Sequence, residues 1–330
     1  GSPHDATHTS TPQLEAVEAL DGPVLVLAGA GTGKTRVLTT RLAHLLNTHR
    51  AYPSQILAVT FTNKAAHEMR ERVSKLLGGA PVEGWWLGTF HALAARMLRR
   101  HAELVGLTSS FTILDADDTL RLIKQILDAR NIDPKKNPPK LVQSVIERWK
   151  DRALGPQDIG PKDAGDIANG QMQGIYADYQ SRLQAVNACD FGDLLMHVIK
   201  ILRDPKNAEI LAEYHRRFKY IMVDEYQDTS GTQNKLVQQL ISYWDKPNVF
   251  VVGDDDQSIY RFQGANVENM LEFANSYISD LITVVLTNNY RSTQPILDIS
   301  KSVINRNEER LIRKIDGLTK DLVAANTKIN

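Results

Sequence analysis

The chain has 330 residues, enough for two domains or for one large domain carrying an insertion. Hydrophobic residues make up 42% and charged residues 24%, the balance of a soluble globular protein; with a formal net charge of zero there is no global basic field, which leaves room only for a local nucleic-acid groove. The single cysteine, Cys189, excludes an internal disulfide framework and fits a reducing, cytoplasmic compartment, and no apolar run approaches membrane-spanning length.

Gly1-Ser2 resembles a cloning scar, and the residues after it lack the apolar core of a signal peptide. Thr11 to Val17 opens a short helix. In it Gln13 offers an amide donor and acceptor that match N6 and N7 of adenine, although a glutamine there is equally an ordinary surface residue. Pro23 to Leu27 reads as a buried parallel strand, and Arg36 to Leu46 as a helix with apolar residues at 37/38, 42 and 45/46. Between them, Ala28-Gly29-Ala30-Gly31-Thr32-Gly33-Lys34-Thr35 is a phosphate-binding loop. The backbone amides of Ala30, Gly31, Thr32 and Gly33 can converge on an anion, and the helix terminus behind them adds partial positive charge. Lys34 can reach the β- and γ-phosphates, and the Thr35 hydroxyl can ligate Mg²⁺.

Ile56 to Thr60 is a second strand, followed by Phe61-Thr62-Asn63 and a helix with Ala66, Met69, Val73 and Leu76/Leu77 on one stripe. Trp85-Trp86-Leu87 reads as a third strand, ending in Gly88-Thr89-Phe90-His91, with a helix from Ala92 to Leu104. Phe61 and Phe90 thus stand at strand ends, where open α/β sheets bind ligands; taken singly, core packing accounts for either.

From Leu114 the pattern turns helical. Asp115 reads as an N-cap, Leu141 to Lys150 and Met172 to Val186 as amphipathic helices, and nothing between 111 and 187 reads as a strand. Lys135, Lys136 and Lys140 fit a solvated loop better than a backbone-binding patch. Asp190-Phe191-Gly192-Asp193 starts a helix returning to the core. Three strands remain. Tyr220 to Val223 ends in Asp224-Glu225, Val249 to Val252 ends in Gly253-Asp254-Asp255-Asp256-Gln257, and Ile282 to Leu286 ends in Asn288-Asn289-Tyr290-Arg291. A helix from Pro295 to Asn305 and a charged tail follow.

A strand ending in Asp-Glu after a phosphate loop supplies the second half of an NTPase site. Asp224 can bind Mg²⁺ and Glu225 can polarise the attacking water. Gln257 can sense a γ-phosphate, Tyr290 can stack on a base, and Arg291 suits a developing phosphoryl charge.

The ordered blocks GAGTGKT, TFTNKAA, GTFH, DFGDLL, VDEYQDT, GDDDQSIYRFQGA and NNYRS resemble the UvrD/Rep/PcrA group of superfamily 1 DNA helicases, from Gln13 to about Arg310. The resemblance implies that Gln13 reads adenine, Arg36 flanks the nucleotide and Tyr290 stacks on the base. It makes Glu225, Lys34, Gln257 and Arg291 the catalytic set, with Thr35 and Asp224 on the metal. Phe61, Thr62, Asn63, Thr89, His91, Tyr260 and Phe262 match positions lining a single-strand path. Gln263 stands where many relatives carry arginine, and Phe262 keeps the stacking face of a frequent tryptophan.

The fold implied is a RecA-like P-loop parallel sheet flanked by helices. Residues 1–110 and 188–280 would form the ATP-binding core, 111–187 an all-helical insertion, and 281–330 the start of a truncated second core. The function implied is the ATP-binding half of an ATP- and Mg²⁺-dependent 3′–5′ helicase, acting on single-stranded DNA at a 3′ tail or junction in repair, replication or recombination. Cut from the rest of the enzyme, the piece would bind ATP and DNA without unwinding. An ATP-gated DNA-binding scaffold that borrows its second core, or a nuclease-linked recombination subunit, would share these motifs. A small-molecule P-loop kinase would explain neither GDDDQSIY nor NNYRS.

Overall fold

The computed structural model describes residues 17–28, 34–226, 229–254, 273, 276, 277, 279–288 and 295–301, the side chains of 34, 254, 287, 288 and 295–301 excepted. Along the chain come β1 (Val24–Ala28), α1 (Lys34–Asn47), β2 (Ile56–Thr60), α2 (Asn63–Leu76), β3 (Leu87–Thr89) and α3 (Phe90–His101). Then follow β4 (Thr112–Ile113), α4 (Ala116–Ala129), α5 (Pro139–Asp151), α6 (Met172–Ala185), β5 (Ala188–Cys189) and α7 (Phe191–Arg203). The last are α8 (Ala208–Arg217), β6 (Tyr220–Val223), α9 (Gly231–Ile241), β7 (Asn248–Asp254), β8 (Ile282–Asn288) and β9 (Pro295–Lys301). The chain divides into two units, one of residues 1–90, 209–229 and 240–330, the other of 91–208 and 230–239.

The first unit is built on a seven-stranded sheet of order β3-β2-β6-β7-β1-β8-β9. All its pairs are parallel except β8–β9. β1 reads Val-Leu-Val-Leu-Ala and is buried at every position, as a strand covered on both faces must be. On one face Val26, Ala58, Met222 and Val252 share a core with Leu38 and Leu42 of α1 and Met69 and Val73 of α2. Each such side chain contributes roughly 1.5–3 kcal/mol relative to exposure. α2 begins where Thr62 caps it, the Thr62 hydroxyl accepting from the Ala65 N–H at 3.0 Å. Arg41 of α1 is buried over the Phe250 ring and donates to the Val17 and Glu18 carbonyls, each at 3.0 Å. It thereby clamps the segment that enters β1. Burial lowers its pKa to about 10.

The second unit is mainly helical. Asp115 caps α4, accepting from the Asp118 N–H at 2.8 Å, and Asp190 and Asp193 cap α7 reciprocally. Trp149 stacks on Tyr176 in its core, and the Tyr176 hydroxyl donates to the Leu154 carbonyl at 2.7 Å. Lys150 lies beside them, its ammonium 2.5 Å from Asp190 and 2.9 Å from Asp193. Burial alone would raise the Asp193 carboxyl, but the Lys150 charge outweighs it and holds that group below the ordinary carboxylate range. Gly192 leaves room here: a Cβ would come within 2.8 Å of the Lys150 stem, so the stem or the start of α7 would have to shift. The structure also brings Cys189, Asp193 and His197 within 4.8 Å of one another. With Asp193 taken by Lys150 and the Cys189 thiol pushed up by burial, this trio is packing and not a ligand set.

Four expectations are corrected. The 111–187 stretch does contain a strand, because Thr112–Ile113 pairs in parallel with Ala188–Cys189; two residues are too short for alternation to register. The strand at 282–288, expected to open a second core, runs along β1 and extends the first sheet. Pro295–Lys301 is an antiparallel strand on β8, not a helix; its Leu297-Asp298-Ile299-Ser300 alternation has the period of a strand. The third strand begins at Leu87, after both tryptophans, and the helix that follows it starts at Phe90, with a separate 3-10 turn at Ala102–Val105. No helix among the described residues is long and apolar enough to cross a membrane.

Candidate nucleotide and nucleic-acid site

Parallel strands deliver their carboxyl ends to one edge of the sheet, and among the described residues that edge carries Thr60, Thr89 and Asp224. β1 ends at Ala28, in register with Asp254 of β7, and α1 starts six residues later. Thr35 in its first turn is half-buried, and its carbonyl accepts from the Thr39 hydroxyl at 2.8 Å. Arg36 beside it is also half-buried. The Lys34 backbone opens the helix. Gln13, Ala30, Gly31, Thr32, Gly33, Gln257, Tyr260, Phe262, Tyr290 and Arg291 lie outside the described residues.

Asp224 follows β6, two strands from β1, which is about 10 Å across the sheet. Its N–H donates to the Val59 carbonyl at 3.0 Å, so the ladder with β2 continues one rung beyond Val223. The side chain is buried at 7% exposure, and one carboxylate oxygen accepts from the Glu225 N–H at 2.8 Å. Glu225 has φ +49°, the left-handed region that non-glycine residues avoid. That backbone turn ends the extended strand conformation directly after Asp224. Tyr226 behind them is fully buried against Phe273, ring centroids 5.5 Å apart.

Strand parity sets the faces. Met222 and Ala58 belong to the core beneath α1 and α2, so Asp224 and Thr60, two residues further along the same strands, stand on that same face. Thr60 is buried, and among the described residues its hydroxyl has no hydrogen-bond partner. A hydroxyl, a carboxylate and the first turn of α1 are thus grouped on one face of one edge. These are hard oxygen donors of the kind Mg²⁺ takes, so the residues fit that ion.

The other aromatic and polar candidates fall in both units. In the first, Phe61 is half-buried against Phe90 at 5.3 Å, Thr62 and Asn63 are exposed at the start of α2, and Thr89 is buried at the end of β3. The Thr62 hydroxyl is already engaged as a cap. In the second, His91 meets Phe191 edge-on at 5.8 Å, and Phe191 is 55% exposed. Burial lowers the His91 pKa and keeps the ring neutral. Phe191 opens α7 directly after Asp190, whose side chain caps the helix.

A family model described as the UvrD/REP helicase N-terminal domain matches residues 9–278. A probable DNA helicase II homolog of Rickettsia conorii is 45% identical over 309 residues, covering 93% of this chain and 46% of that protein. The ATP-dependent DNA helicase PcrA of Bacillus subtilis is 45% identical over 298 residues, covering 90% and 39%, and that of Staphylococcus aureus 44% over 303 residues, covering 92% and 40%. The chain spans less than half the length of these relatives.

Proposed function

The chain belongs to the UvrD/REP helicase N-terminal domain family, and from that premise we propose that it is the ATP-binding half of an ATP-dependent 3′–5′ DNA helicase or translocase of the cytoplasm. The observation that supports the reading is Asp224 at the carboxyl edge of the parallel sheet, on the face that α1 covers, with α1 starting six residues after β1. In this reading the loop amides from Ala30 to Gly33 and the Lys34 ammonium grip the triphosphate. Thr35 and Asp224 hold Mg²⁺, which supplies charge neutralisation between the phosphates. Glu225 orients and polarises the attacking water, with Gln257 and Arg291 reading the γ-phosphate and Gln13 and Tyr290 the base. Phe61, Thr89, His91, Tyr260 and Phe262 offer a sequence-blind path to single-stranded DNA.

One core can bind nucleotide but cannot cycle the closure of two cores around it. The 330-residue chain is therefore expected to bind Mg·ATP and, weakly, oligo-dT, with little DNA-stimulated hydrolysis and no unwinding. Calorimetry on the chain and on Lys34→Ala tests the assignment: affinity for Mg·ATP should drop about tenfold or more in the variant, and equal affinities would remove the site.

A further inference from the structure

Thr60 closes β2 at 1% exposure, and among the described residues its hydroxyl finds no hydrogen-bond partner. An unpartnered buried hydroxyl is costly, and valine would give the same branched shape without it. Its position is specific. Thr60 pairs with Thr89 on one side, and the β2–β6 register, Val59 against Val223, sets it level with Asp224 on the other. Level residues on neighbouring parallel strands project from the same face, with backbones about 4.8 Å apart. The carboxylate and the hydroxyl make no direct hydrogen bond, and a gap of one strand spacing is the gap a single water bridges.

We infer that the Thr60 hydroxyl holds a water of the magnesium shell that also donates to Asp224, which makes Thr60 a positioning residue for the metal–nucleotide complex. The inference rests on the nucleotide site proposed above. Mg²⁺ dehydrates reluctantly and keeps several waters, each a strong donor needing two acceptors. Asp224 supplies one acceptor and the Thr60 oxygen the other. Both stand on the face α1 covers, where Thr35 lies in the first turn.

Thr60→Val removes the hydroxyl and keeps the shape, while Thr60→Ser keeps the hydroxyl. The measurement is calorimetric binding of ADP to the 330-residue chain over a Mg²⁺ series and in EDTA, with thermal melts without nucleotide. In Thr60→Val the Mg²⁺ concentration giving half-maximal tightening should rise about fivefold, with EDTA affinity unchanged, while Thr60→Ser stays within about twofold of wild type. Nucleotide-free Thr60→Val should melt about 2 °C higher than wild type, since an unsatisfied buried group is gone. A wild-type Mg²⁺ midpoint in Thr60→Val overturns the inference, and so does a lower nucleotide-free melt, which would make the hydroxyl a packing element. If the wild-type chain itself binds no Mg·ADP, the nucleotide reading falls and takes the inference with it.

Discussion

Each unit buries a carboxylate, and the two stand in different surroundings. Asp193 of the helical unit, at 1% exposure, receives the Lys150 ammonium and the Gln180 amide, each at 2.9 Å. Asp190 beside it takes the same ammonium and the Tyr179 hydroxyl at 2.6 Å. That charge is used up in holding helices α5, α6 and α7 together. At Asp224 of the sheet unit one carboxylate oxygen accepts from the Glu225 N–H, Glu225 is bent into the left-handed region, and the Thr60 hydroxyl level with Asp224 on β2 has no partner among the described residues. A left-handed acid and an unsatisfied hydroxyl thus stand at neighbouring strand ends, departures from local satisfaction of the kind that functional sites carry.

The strongest way to break this contrast is Lys150→Met. Leaving two buried carboxylates without their cation should cost about 3–5 kcal/mol, read as a lower urea midpoint at pH 7. Adding Asp190→Asn and Asp193→Asn should recover most of the loss; a single variant as stable as wild type would show the cluster to be incidental. On the other side, Glu225→Gly should stabilise the chain by roughly 0.5–1 kcal/mol, because glycine adopts the left-handed backbone freely. A loss of stability there would remove strain from the account.

A smaller effect sharpens the comparison through pH. Burial lowers the pKa of His91 and His197 in the helical unit and of His44 in the sheet unit below the ordinary 6.5. The unfolded chain then takes up the proton first, so stability is lost as pH falls through about 6.5 toward 5. His197→Gln should flatten that slope, and an unchanged slope would show that His197 carries none of it.

What could be read from the sequence was what local pattern encodes. Apolar runs placed β1, β2, β6 and β7 within a few residues, and the cap at Asp115 came from side-chain chemistry three positions away from its target. Lys150 gave no such signal. It sits in an amphipathic helix like any surface lysine, and only partners 40 and 43 residues away make it a buried ion. Thr60 was equally silent, since its meaning depends on a strand more than 150 residues later coming level with it. Pairing between distant segments also decided the Thr112–Ile113 strand and the place of β8, which periodicity cannot address.

The strand order carries a consequence for the growing chain. Val24 of β1 pairs with Phe250 and Ile282, so at roughly 5–20 residues per second the ribosome releases β1 on the order of ten to forty-five seconds before either neighbour exists. Over that interval five consecutive apolar residues stand as an unpaired, aggregation-prone segment. A strand one place from the centre of the finished sheet is the one that waits longest for its first partner.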